Sequence, residues 1–193
     1  MASHNKGKIT GSTVGALLTG KGDTLLKGGI QFARQIAMER LGVVDDISTF
    51  KGNAATEWGN ENEPIAIEAY EANTFNEVHG QQKQATKGNL SCTPDGFIGD
   101  IGLIEVKCPY NSTNHLNNLL ENSFVKQYES QCRFNMMLTA TEYCDLISFD
   151  PRFPQHLRIH VATIERDTEW EDFCMNRIEQ AEEIIANIIE KLG

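Results

Sequence analysis

The chain contains no apolar run approaching the roughly 18 residues that a membrane-spanning helix needs. Its first residues, "MASHNKGKITGS", lack the apolar centre of a secretory signal. A soluble, cytoplasmic protein without a membrane partner is therefore expected. No Cys-x-x-Cys pair occurs either. The five cysteines, at positions 92, 108, 132, 144 and 174, are odd in number, scattered and set among apolar neighbours. That spacing excludes a grouped zinc or iron–sulfur ligand set and points to reduced, buried thiols rather than disulfides. No G-x-x-x-x-G-K-S/T loop is present, so this chain encodes no nucleotide-driven motor. Positive charge is scarce: 17 Lys and Arg stand against 27 Asp and Glu, a formal net charge of −10. A uniformly basic nucleic-acid surface is thereby excluded, because phosphate neutralisation needs local Lys and Arg. The deficit is uneven, however. Residues 1–40 carry Lys6, Lys8, Lys21, Lys27, Arg34 and Arg40 against Asp23 and Glu39, whereas residues 165–191 are strongly acidic. An acidic exterior around a locally basic site stays open.

With 193 residues and 40% hydrophobic content, the chain can close one sizeable core, and one domain spanning residues 1–193 is expected. Repeats and low-complexity tracts are missing. "ITGSTVGALLTG" (9–20) reads as a short helix with Thr10 or Ser12 near its cap. A glycine-rich loop (20–29) follows, then a helix from Ile30 to Leu41 ending at Gly42. Residues 57–73 read as a helix with Trp58, Ile65, Ala66, Ala69 and Tyr70 on one side, starting or bending at Pro64. An edge strand is expected over 76–86, and a hairpin from 91–98 and 102–108 with its turn at Gly99–Gly102. Helices over 114–121 and 125–139, strands over 142–149 and 156–165, and a long amphipathic helix over 168–192 complete a mixed α/β domain with a central sheet.

Chemistry concentrates in "CTPDGFIGDIGLIEVKCP" (92–109). Side chains alternate along a strand, so Glu105 and Lys107 share one face while Ile104 and Val106 anchor the other. The hairpin returns Asp95 alongside them. Two converging carboxylates form an oxygen site suited to magnesium, which takes one or two carboxylates and completes its shell with waters and substrate phosphate. Such a metal activates water and screens charge on a phosphate, and a neighbouring lysine positions or deprotonates that water. This equipment suits phosphodiester hydrolysis. An acid and a lysine two residues apart also describe a solvated strand face, so further stretches must decide.

Those stretches are "GKITGSTVGALL" (7–18), "WGNENEPIAIEAYE" (58–71), "TPDGF" with "GLIEVKCP", "QYESQCRFNMMLT" (127–139), and "FDPR" with "VATIERD". In this order, across residues 7–170, the chain resembles the phage lambda exonuclease and YqaJ-like viral recombinase family of the PD-(D/E)XK nuclease superfamily. The resemblance implies a restriction-endonuclease-like core, a central mixed sheet flanked by helices. It implies that Asp95 and Glu105 bind magnesium, with manganese as a substitute, and that the Val106 carbonyl is a third ligand. Lys107 would orient and activate the attacking water, and Glu63, in its Trp-Gly-x-x-x-Glu context, would help hold a metal or its waters. Gln131 would contact the scissile strand or the nucleophile, and Tyr128, one turn earlier, lines the same cleft or packs beneath it.

The family's 5′-phosphate pocket uses serine hydroxyls and an arginine. Ser12 and Thr93 keep the hydroxyls, but Asn5 stands at the arginine position, leaving Lys6 or Lys8 to supply charge without a bidentate fork. Leu25-Leu26, with Lys21 and Lys27, could overhang a DNA end or form a plain surface loop. The implied activity is an ATP-independent 5′→3′ exonuclease on double-stranded DNA ends, leaving 3′ tails for recombination. A ring-shaped homotrimer and a single-strand annealing protein are the implied partners. An endonuclease or single-strand exonuclease of the same superfamily, or a non-catalytic DNA-binding module on the fold, are the alternatives.

Overall fold

The computed structural model describes residues 5–20, 22, 24–43 and 54–192. The chain opens with β1 (Ile9–Thr10) and a 3-10 turn at Val14–Ala16, in place of the helix expected over 9–20. Here the hydroxyls compete with helical bonding: Thr13 Oγ1 accepts the Thr10 N–H at 3.1 Å and donates to the Thr10 carbonyl at 3.2 Å. Helix α1 (Lys27–Arg40) begins three residues earlier than expected and stops before Gly42, whose φ of +83° breaks it. Helix α2 (Ala54–Thr74) runs through Pro64 rather than starting there. Its buried side chains are Asn62, Ala66, Ile67 and Tyr70, whereas Ile65, expected to face inward, is 48% exposed.

Both strands expected between residues 76 and 98 are split between two sheets. The first divides into β2 (Val78–His79) and β3 (Ala85–Lys87), and the second into β4 (Leu90–Cys92) and β5 (Gly96–Ile98). The second break falls at Thr93-Pro94-Asp95, where proline offers no N–H to continue a ladder. Strand β6 (Gly102–Lys107) closes the expected hairpin with β5, pairing Ile98 with Gly102 across a turn in which Gly99 has φ +51°. Helices α3 (Ser112–Glu121) and α4 (Ser123–Thr139) follow, then β7 (Tyr143–Phe149), β8 (Ile159–Glu165) and α5 (Thr168–Leu192). A three-stranded sheet has the order β1-β4-β3, and a five-stranded sheet the order β2-β5-β6-β7-β8, with β6 and β7 parallel. No helix among the described residues is long and apolar enough to cross a membrane.

Alternation along β6 sorts the core into layers. Ile104 and Val106 join Ala66, Ile67 and Tyr70 of α2, together with Ile147 and Phe149, on one side of the large sheet. Leu103 joins Phe124, Cys132 and Met136 of α4, with Cys144 and Leu146, on the other. Phe134 turns α4 toward a third cluster built from the small sheet, α1 and α5. All five cysteines are free thiols, and every one except the half-buried Cys108 is buried.

One buried polar tie crosses the α2 layer. The Asp145 carboxylate, 7% exposed, accepts the Tyr70 hydroxyl and the Thr163 hydroxyl, each at 2.6 Å. Tyr70→Phe removes one donor to a buried charge and should lower the unfolding free energy by about 1.5–3 kcal/mol. Urea unfolding of the two proteins measures it.

Candidate active site

Glu105 follows Leu103 on the α4 side of β6, so strand periodicity places a carboxylate in a layer otherwise filled by apolar side chains. It is 2% exposed. Lys107, two residues on, reaches back to Glu105 Oε1 at 2.7 Å. Asp95 sits where β5 parts from β4, and its Oδ2 accepts the Val106 N–H at 2.6 Å. A side chain here stands in for the strand that the ladder no longer supplies.

Helix α4 provides the opposite wall. Tyr128, Gln131 and Asn135 fall at helical spacing on one face. The Lys107 ammonium lies 4.6 Å from the centre of the Tyr128 ring. Gln131 donates to Glu105 Oε1 and lies 3.5 Å from Lys107 Nζ. Asn135 donates to Glu105 Oε2 at 3.1 Å. From α2, Glu63 accepts a hydrogen bond from Gln82 Nε2 at 3.1 Å and lies close enough to Asp95 and Lys107 to feel both charges. Thus Asp95, Glu105, Val106, Lys107, Glu63, Gln131 and Tyr128 converge. Asn135 was not expected from the sequence, although its position one turn beyond Gln131 was the available signal. Gln82, on the loop between β2 and β3, had no sequence signal.

The electrostatics describe crowded carboxylates. Burial pushes Glu105 up to about 7; Lys107 opposes the shift, while Asp95 and Glu63 reinforce it. Burial also raises Asp95, against the Val106 N–H and Lys107. Glu63 is raised by burial and then by Asp95. Burial alone would depress Lys107, but the charge and hydrogen bond of Glu105 prevail and push it up to about 12. Lys107 is therefore an ammonium at neutral pH, a donor and a charge rather than a free base.

No three Asp, Glu, His or Cys side chains among the described residues form a ready-made metal cage. Magnesium does not require one, since one or two carboxylates plus waters suffice. The donor set fits a hard divalent cation: three carboxylates are destabilised as anions while one lysine offsets them.

The residues assigned to a DNA end are arranged by the small sheet. Thr10 pairs with Ser91 in the parallel β1–β4 ladder, and Ser12 and Thr93 each lie two residues further on, at the same end. Ser12 is exposed and Thr93 half-buried. Lys6, exposed, and Lys8, half-buried, precede β1 and so lie at its opposite end. Asn5 Oδ1 accepts from Gln84 Nε2 at 2.8 Å. Leu25 is 8% exposed, with its N–H bonded to Gln180 Oε1 at 3.0 Å, which makes it a core anchor rather than a wedge for base pairs. Leu26 is half-exposed and Lys27 opens α1, while Lys21 lies outside the described residues.

An acid whose folded-state pKa lies above its unfolded value binds more protons when folded, so stability falls as pH rises between those values. For Glu105 the window runs from 4.5 to about 7. Metal-free protein should therefore be more stable at the lower end of that window than at the upper end. Glu105→Gln should remove up to about 3 kcal/mol of this dependence, as read by urea unfolding at the two pH values.

The YqaJ-like viral recombinase domain matches residues 2–142. No curated protein matches the chain in sequence at a significant level. Among solved structures, an alkaline exonuclease from Laribacter hongkongensis superposes with a TM-score of 0.83 at 27% identity, covering 97% of this chain and 92% of that one. The same exonuclease in complex with dAMP gives a TM-score of 0.77 at 28% identity, covering 97% and 94%. A phage-related exonuclease from Haemophilus somnus gives 0.80 at 19% identity, covering 96% of each chain, and shows likeness of fold. The sheet order and a domain match over most of the length agree: the chain belongs to the YqaJ-like viral recombinase family, on the restriction-endonuclease-like fold.

Proposed function

We propose that this nuclease is a magnesium-dependent, ATP-independent exonuclease that acts on double-stranded DNA ends. It degrades the 5′-ended strand and leaves a 3′ single-stranded tail for annealing-type recombination. The observation that carries this reading is the cluster of Asp95, Glu105 and Lys107 at the end of β6, flanked by Glu63 and Gln131. Asp95, Glu105 and the Val106 carbonyl would hold the cation, with manganese able to replace magnesium. When bound there, the ion supplies Lewis acidity toward the phosphate and an activated water.

The side chains do the rest. Lys107, kept as an ammonium by Glu105, orients the nucleophile and offsets charge as it develops on the phosphate. Gln131 would contact the scissile strand or the nucleophile beside Lys107, and Glu63 would help hold the metal or its waters. Tyr128 floors the cleft beneath the ammonium. Ser12 and Thr93 take the terminal 5′-phosphate, with Lys6 or Lys8 reaching from the other end of the two-residue β1 to add charge. A homotrimeric ring threaded on DNA, a single-strand annealing protein as partner and action in the host cytoplasm belong to the same reading. An acidic exterior is compatible with it when the basic residues line the channel.

Asp95→Ala, Glu105→Ala and Lys107→Ala should each slow digestion of linear duplex by roughly 10²-fold or more, about 2.7 kcal/mol of barrier. Calcium should support DNA binding without cleavage, because its looser coordination positions water less strictly. Near-normal turnover by Lys107→Ala in saturating magnesium removes its catalytic role, and brisk cleavage in calcium removes the metal mechanism.

End-labelled duplexes test polarity. Nucleotides should be released from the 5′ end, with none released from closed circles. Because a lysine holds phosphate less rigidly than a guanidinium fork, preference for 5′-phosphate over 5′-hydroxyl should be modest and weakened by salt. Lys8→Ala should lose that preference more than it loses rate on 5′-hydroxyl ends. Release from the 3′ end sinks both the pocket and the polarity.

A further inference from the structure

Asn135 lies in α4 between the core residues Phe134 and Met136 and is 1% exposed. Its Nδ2 donates to Glu105 Oε2 at 3.1 Å, while Gln131 Nε2 donates to Oε1. Each oxygen of the buried carboxylate thus has its own amide donor from one helix face. The other half of the Asn135 amide is idle: Oδ1 is buried without a partner. It backs onto Gly11, where any β-carbon would collide with it.

A buried carbonyl oxygen left unpaired is destabilising, and an apolar side chain at the same position would avoid that loss. Packing therefore does not account for asparagine here. Reversing the amide would point Oδ1 at the Glu105 carboxylate, so the hydrogen-bond network itself fixes the orientation. What Asn135 contributes is one N–H, delivered to Oε2. The terminal torsion of a glutamate is soft, with no sharp staggered minimum to hold it. Donors on both oxygens remove that freedom.

We propose that Asn135 is a positioning residue for Glu105. It locks the rotation of the carboxylate so that a divalent cation meets a preformed ligand, and Gly11 leaves the space in which the amide can lie. This rests on the metal-dependent nuclease reading above. Residues that hydrogen-bond a metal ligand typically change metal affinity or activity by about 10–100-fold when replaced. Loss of the N–H should weaken capture of the metal more than the chemistry that follows.

The test compares Asn135→Leu, which removes the donor and fills the space, with the wild type. Mn2+ is titrated calorimetrically into each protein without DNA, melting temperatures are measured, and duplex digestion is followed across Mn2+ concentrations. Asn135→Leu should still fold cooperatively, with the loss of a donor to Glu105 lowering its melting temperature and removal of the unpaired Oδ1 offsetting part of that loss. Its Mn2+ dissociation constant should rise about 10-fold, and the half-saturating Mn2+ for digestion should rise in parallel, with most of the rate recovered at saturation. Unchanged Mn2+ affinity and half-saturation would overturn the proposal and leave the nuclease reading standing. A wild type that binds Mn2+ but digests no duplex would sink the nuclease reading, while the titration still decides the role of Asn135. A wild type that binds no Mn2+ overturns both. Should Asn135→Leu fail to fold, Asn135→Ala carries the same comparison.

Discussion

Burial of Glu105 beside Lys107, in a layer that is otherwise apolar, is the constraint from which the rest of the site follows. An isolated carboxylate could not remain charged at that depth, and an ion pair repays its desolvation only when hydrogen bonds satisfy the remaining lone pairs. Lys107 supplies the counter-charge and α4 the hydrogen bonds, from Gln131 and Asn135. The helix that seals the sheet with Phe124, Cys132 and Met136 therefore also completes the polar shell of the buried Glu105. Catalytic and structural demands meet on a single helix, on faces only a fraction of a turn apart.

The same constraint explains why the site sits between the two sheets rather than within either. Inside a continuous ladder the Val106 N–H would be taken by a neighbouring strand. Because β5 begins only at Gly96, that N–H is free to bind Asp95, and a second carboxylate is brought beside the first. Burial raises all three carboxylates, and for Glu105 and Glu63 the neighbouring acids add to the rise. A cation bound there, as proposed, would offset the cost of burying these carboxylates as anions.

Strand β6 was readable from sequence because its period of two is unambiguous: apolar residues alternate with charges, and the charges mark the exceptional face. The long helices α4 and α5 and the β5–β6 hairpin were readable for similar reasons. What escaped was non-local. Whether 76–86 is one strand or two depends on a second sheet, and no short-range pattern announces that the chain crosses between them. Pro64 was read as a start or a bend of its helix; α2 runs through it, with Ala66 and Tyr70 beyond it packed in the core. In residues 9–20 the apolar spacing suggested a helix, but the threonine hydroxyls bonded locally first. Asn135 was overlooked for a different reason: flanked by Phe134 and Met136, it occupies a core position, and its chemistry shows only when its partner across the layer is known.

The strap Thr93-Pro94-Asp95, where the chain leaves the small sheet for the large one, has a metrical consequence. Only Pro94 separates Thr93 from Asp95, so their Cα atoms can be no more than about 7 Å apart, and proline stiffens the link between them. On the proposed reading, one end of this strap grips the terminal phosphate and the other holds the cutting centre. The protein then measures substrate with a ruler of fixed, very short length. Phosphates that lie on such a ruler are consecutive ones along a strand. On that reading the excised fragment would be a single nucleotide, set by the backbone and independent of the sequence being consumed.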